Sequence, residues 1–287
     1  MNETKGIYMK VGFIGAGKVG FTLGKYFTEN NINLIGYYSR NIESAKEAAE
    51  FTKTNYFNSS KEIISNSEII FITTPDDVIE EVWSSIEKVS IKGKIICHCS
   101  GSLSSKIFSN IEIREAFGYS IHPMYAFSDK YNSHKRLKEA TITIEGSKEK
   151  LEYMVKLFND LGNKVKVISS ENKSLYHIAA VTVSNHVIAL VDRGIELLVK
   201  CGFSYDEAKD TLFPLMVNNM NNIGDKGIIN SLTGPIERCD VDTISKHLEV
   251  LSDDDRELYR LLSKRLVKIA KLKNDRDYSK LEKMIGE

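Results

Sequence analysis

The stretch VGFIGAGKVG, residues 11–20, decides the fold. An apolar run leads into glycines at Gly15, Gly17 and Gly20, which predicts a strand, a tight turn and the start of a helix. The flanks agree. Residues 9–15 read as the strand, and Val19, Leu23, Tyr26 and Phe27 recur at helical spacing up to Glu29. In Gly15-Ala16-Gly17-Lys18-Val19-Gly20 the first glycine permits the turn. The second lets a pyrophosphate approach the backbone, and the third lets helix and strand pack closely. Unpaired N–H groups at the helix start suit an anion. A turn without a ligand is the other reading of the same glycines.

Working outward, strand and helix patterns alternate. Strands are predicted at 32–39, 67–75, 94–100, 117–123, 140–146 and 164–169, and helices at 42–52, 76–86 and 148–161. The run SEIIFITTP is continuously apolar, as a parallel strand covered on both faces would be. The alternation predicts an α/β, Rossmann-type doubly wound parallel sheet. Near residue 172 the pattern changes. Residues 175–202 read as one helix of about 26 residues closed by Gly202. Its first two thirds are apolar nearly all round, so it is expected to be buried on most sides. Further helices are predicted at 204–223, 240–251 and 253–272. The division is 1–172 for the sheet domain and 173–287 for an all-α domain.

Composition narrows the function. The chain of 287 residues has 39 Lys+Arg and 39 Asp+Glu, so no global basic field points to nucleic acid. No uninterrupted apolar run reaches about 18 residues, so no membrane span is expected. The N-terminus has no apolar signal core. Cys97, Cys99, Cys201 and Cys239 lack zinc-ligand spacing, so no metal is expected, and reduced thiols fit a cytoplasmic protein.

The end of the second strand selects the nucleotide. An NAD site usually has an acid there for the ribose 2′-hydroxyl. Here stand Ser39 and Arg40, and a guanidinium with a hydroxyl suits a 2′-phosphate. The expected cofactor is therefore NADP(H), with Arg40 as a solvated surface charge the alternative. Thr74 and Pro75, at the end of a third strand, would run beside its ribose and nicotinamide.

Other polar groups sit where a substrate could reach them. Ser100 follows the fourth strand and His122 ends the fifth. On the long helix His177 and Ser184 lie about 20° apart, with Asn185 about 80° from His177. A structural network between helix and sheet is the other reading of these three residues. Arg238, in the turn LTGPIERCD, could clamp a carboxylate or simply pair with a neighbouring acid.

GFIGAGKVG, Ser39-Arg40, FITTPDDVI, HCSGS, HPM-x-x-F, YHIAAVTVSN and LTGP-x-x-R-x-D occur here in an order that resembles a family of Rossmann-like reductases. These join a cofactor domain to an α-helical C-terminal domain long without assigned function. They fall within the superfamily of β-hydroxyacid dehydrogenases, pyrroline-5-carboxylate reductases and ketopantoate reductases. The resemblance runs from Met9 to about Leu272. It implies an NADPH-dependent reductase of a small 2-oxo acid, with 2-dehydropantoate as the candidate because some members reduce it to pantoate. An imine reductase and a non-catalytic NADP-binding regulator are the alternatives. Many relatives carry a catalytic lysine four residues before the asparagine matched by Asn185, and here that position is Val181. His177 is then the expected proton donor, with His122 or a water as substitutes. Asn185 and Ser100 would orient the carbonyl and Arg238 would hold the carboxylate. The apolar long helix points to a homodimer.

Overall fold

Hydrogen-bonding along the apolar runs produces one eight-stranded sheet. The computed structural model describes residues 9–86 and 88–286. The strands are β1 (Val11–Ile14), β2 (Leu34–Tyr38), β3 (Asn55–Tyr56), β4 (Ile69–Ile72), β5 (Ile95–His98), β6 (Phe117–Pro123), β7 (Thr141–Gly146) and β8 (Lys164–Val167). Their order is β3-β2-β1-β4-β5-β6-β7-β8. From β3 to β6 every pair is parallel, as the alternation with helices predicts. β7 departs from the expected all-parallel sheet. It pairs with β6 antiparallel, and β8 follows β7 in parallel. The β6–β7 connection carries a 3₁₀ segment, Ser133–Glu139, and no α-helix, but so does the parallel β5–β6 connection with Ser105–Ile107, so the missing helix does not by itself set the direction.

Both faces of the sheet are covered, which explains the continuous apolar runs. On one, Phe13 stacks on Phe71 at 5.3 Å and on Tyr37 at 5.4 Å, with Phe27 edge-on to Phe71. On the other, Ile14, Ile70, Ile72 and Ile96 pack with Trp83 and Phe108. Each ring buried in this way contributes about 1.5–3 kcal/mol. The edge strand β3 and the helix Ser60–Asn66 are additions that the hydrophobic pattern does not announce. Two exposed residues in β3 are too few to show a period.

The chain divides into two compact units, the first ending at His186 and the second starting at Val187. The helix Lys173–Val183 thus travels with the sheet, beyond the composition change at 172. The expected single helix over 175–202 is two, Lys173–Val183 and Asn185–Lys200. Ser184 breaks it: its hydroxyl donates back to the Ala180 carbonyl at 2.7 Å, a contact that competes with the helix ladder. Gly202, at φ +97°, closes the second piece as predicted. The expectation of deep burial fails. Ile178 is 58% exposed and Val183 73%. By length and composition alone the segment Ser170–Lys200 passes as long and apolar enough to cross a membrane, which leaves the expectation from run lengths untested. The threonine, serine, asparagine and histidines that interrupt it lower its hydropathy too little.

In the second unit Ser204 opens the helix Tyr205–Ser231 with a capping box closed by Glu207, and Gly227 kinks it at φ +76°. Ile236, Ile244, Leu248, Val267 and Tyr278 form this unit's core, carried largely by the helices Val241–Val250 and Asp253–Lys273.

Candidate functional site

The ends of β1, β2 and β4 meet around the glycine turn. The Gly15 amide donates to the Tyr38 carbonyl at 2.8 Å, and the Thr73 hydroxyl donates to the Gly15 carbonyl at 2.9 Å. Gly15 sits at φ +106°, where a side chain is strained. A Cβ there would lie 2.8 Å from the Thr73 backbone, and one at Gly20 would lie 2.4 Å from Thr73 Oγ1. These two glycines are required by the protein's own packing. Gly17 is different, because a Cβ there would meet open space.

That space belongs to a cleft of about 470 Å³ lined by Gly15, Ala16, Gly17, Ser39, Arg40, Thr74 and Pro75 among others. Lys18 and Val19 open the helix Lys18–Glu29 beside it, while Gly20 is buried beneath. Gly17 caps this helix with no side chain, and its first turn has no acid, so its leading N–H groups are free for an anion. Thr74 Oγ1 is buried without a partner. Among the described residues Arg40 reaches only Glu81, at 3.8 Å, with its side chain 72% exposed. Asn41 is engaged as the cap of the next helix, accepting from the Glu43 amide at 3.1 Å. The open cradle, the orphaned hydroxyl and the loosely held guanidinium fit a dinucleotide with a 2′-phosphate.

A second group of polar residues gathers beyond β5. His98 Nδ1 accepts from the Ser100 amide at 3.2 Å, so the ring proton lies on Nε2, which donates to the Ser104 carbonyl at 3.2 Å. Burial holds its pKa down to about 4. The Ser100 hydroxyl donates to Asp76 at 2.6 Å and accepts from the Ser102 and Leu103 amides, so it is engaged inside this turn. At the turn's tip a Cβ on Gly101 would lie 2.7 Å from His177 Nδ1 and 3.0 Å from His122 Nε2. His122 Nδ1 bonds the Tyr176 hydroxyl at 2.7 Å, and burial, with the charge of Lys173, holds the His122 pKa down to about 4. His177 Nδ1 is buried with no partner. The buried Cys97 thiol and the half-buried Cys99 thiol are both pushed up by desolvation, Cys99 to about 12, which removes them as nucleophiles.

The structure therefore brings together Gly101, His122, Tyr176 and His177. Asn185 is exposed past the Ser184 break, where it accepts from the Ser184 hydroxyl at 3.0 Å. Arg238 ends the short helix Pro235–Arg238 of the second unit. Sequence reasoning missed Lys173, whose ammonium is buried against Ser100 and Ser120. Its signal was present: Lys173, Tyr176 and His177 share a helix face at i, i+3 and i+4.

Residues 10–100 match the family model described as NADP oxidoreductase, coenzyme F420-dependent, and residues 140–266 match a domain of unknown function, DUF2520. Protein TM1727 of Thermotoga maritima is 27% identical, with a TM-score of 0.73 over 91% of this chain and 98% of that one. A Plasmodium falciparum pyrroline carboxylate reductase, solved with NADP bound, shares the fold at 17% identity, with a TM-score of 0.60 over 92% and 95% of the two chains. Bacillus subtilis YqeC, provisionally named a 6-phosphogluconate dehydrogenase, is 26% identical over 80% of this chain and 75% of its own. The two models match in the order the motifs imply, an NADP oxidoreductase Rossmann domain over residues 10–100 followed by the DUF2520 domain over residues 140–266.

Proposed function

We propose that this protein is an NADPH-dependent reductase of a small 2-oxo acid, with 2-dehydropantoate the first candidate. The observation that supports the reading is the unpartnered, buried His177 Nδ1 facing Gly101 beside His122. A buried polar atom without a partner wants one, and a substrate oxygen would supply it. Bound NADPH would supply the hydride to the carbonyl carbon. The residues then do the rest. The free N–H groups after Gly17 hold the pyrophosphate, Ser39 and Arg40 hold the 2′-phosphate, and Thr74 and Pro75 border the nicotinamide side. His177 holds the substrate oxygen and delivers the proton that oxygen must gain, a transfer suited to imidazole near neutral pH. Asn185 remains the proposed holder of the carbonyl.

The reading is tested by following NADPH absorbance with 2-dehydropantoate, other 2-oxo acids and pyrroline-5-carboxylate. Consumption with the oxo acids supports it. Consumption with the imine alone replaces it with imine reduction, the activity named for the Plasmodium structure. NADPH binding without any turnover leaves a regulator.

Arg40→Ala tests the cofactor separately. It is expected to weaken NADPH binding by about 1.5–3 kcal/mol, the range for a hydrogen bond to a charged group, while leaving NADH binding unchanged. Equal losses for both nucleotides, or none, would remove Arg40 from the 2′-phosphate site. We also propose a homodimer. Ile178 and Val183 of the first unit are exposed, as are Phe213, Leu215 and Met220 of the second, apolar side chains of the kind a partner subunit would cover. Light scattering should give twice the chain mass, and a monomer at micromolar concentration would refute this.

A further inference from the structure

Proton delivery by His177 requires its ring to be held against the turn at Gly101, and one buried side chain joins the two. Lys173 begins the helix that carries His177, is 2% exposed, and donates from Nζ to the Ser100 carbonyl at 2.9 Å and to Ser120 Oγ at 2.8 Å. Ser120, on β6, also donates to the Ser100 carbonyl at 3.3 Å. Thus one ammonium grips the end of β5 and the middle of β6, and three and four residues on, the same helix face presents Tyr176 and His177.

We propose that Lys173 is a positioning residue that holds the His177 ring in place against the turn at Gly101 for proton delivery. This rests on the reading of His177 as proton donor. Burying an ammonium is expensive, and packing alone is served as well or better by an apolar side chain. The charge also acts on titratable neighbours from several elements. Glu145 of β7, Asp76 after β4, Cys99 and His98 of the β5 end and His122 of β6 are coupled to it electrostatically, and it lies over the Tyr176 ring at 5.6 Å. Burial lowers the Lys173 pKa to about 8, against the pull of Glu145 and Asp76. Its charge is therefore complete at neutral pH and is lost as pH rises through that value.

The test compares Lys173→Met, Lys173→Arg and Ser120→Ala with the parent in the full chain. Lys173→Met should lower kcat about a hundredfold, the scale of a misplacement near 1 Å, with NADPH affinity within about twofold. The alkaline fall of kcat near pH 8 should disappear with it. Lys173→Arg should restore part of the rate, and Ser120→Ala should lose less than Lys173→Met. Proton NMR of the histidine rings supplies a readout free of turnover. Removing the cation that helps to hold down the His122 pKa should raise it. A His122 titration unmoved in Lys173→Met overturns the proposal, as does kcat within about threefold in both Lys173→Met and Ser120→Ala. If the parent reduces no carbonyl or imine, the reductase reading fails by itself and the histidine titrations still decide the role of Lys173. If Lys173→Met does not fold, Ser120→Ala and Lys173→Arg carry the same comparison.

Discussion

His177→Ala is expected to lower kcat for an accepted oxo acid by about 10²–10⁴-fold, the usual contribution of a positioned acid or base, with little change in NADPH affinity. The separation follows from where the groups stand. NADPH would be held by the cleft at the ends of β1, β2 and β4, whereas His177 faces Gly101 at the turn after β5. Loss of the imidazole removes the proton donor and opens the buried position to water. His177→Gln, which keeps a polar group of similar length, should recover binding of a non-reacting substrate analogue but not the rate. His122→Ala should have the smaller effect, because His122 already shares a hydrogen bond with Tyr176. If His177→Ala turned over at the parent rate, the site would lie elsewhere. If only His122→Ala were inactive, the proton would come from the neighbouring ring.

The second large effect is on stability in acid. His98 and His122 have pKa values held down to about 4 from an ordinary 6.5, both chiefly by burial. Between those values the unfolded chain binds more protons than the folded one, so stability falls as pH falls. The contribution is intact above pH 6.5 and is lost progressively down to about 4. For the fully buried His98 the shift corresponds to about 3 kcal/mol across the window. Carboxylates add their own slope, so the test is a difference. Urea unfolding of the parent and of His98→Gln at pH 7 and 4.5 should show the variant losing less on acidification, although it starts less stable. Equal losses would show that His98 is not buried neutral.

Much of this was legible in advance, and the rest was hidden for identifiable reasons. The strand, glycine turn and helix at 11–29 declare themselves, because apolar periodicity and glycine spacing both report local backbone geometry. The direction of β7 does not, since TITIEG reads the same whichever way it pairs. The break at Ser184 is masked because apolar residues continue through it, and only the hydroxyl's bond back to Ala180 reveals it. In the site, Gly15, Gly17, Arg40, His122 and His177 could be singled out by residue type and position. Lys173 shares a helix face with Tyr176 and His177, but a lysine in a first helical turn ordinarily reads as solvated, and its burial comes from strands far away in sequence. Ser100 could be picked out, but not that its hydroxyl is engaged by Asp76.

The unequal surroundings of the three glycines bear on how such a motif ages. Gly15 and Gly20 are fixed by Thr73 and by the turn itself, whether or not a nucleotide ever binds. Mutating Thr73 would not free Gly20, since a Cβ there would still lie 2.7 Å from the Gly15 carbonyl. A lineage that abandoned catalysis would therefore keep its first and third glycines for as long as it kept the fold. Drift would begin at the middle one, where nothing in the protein resists a side chain.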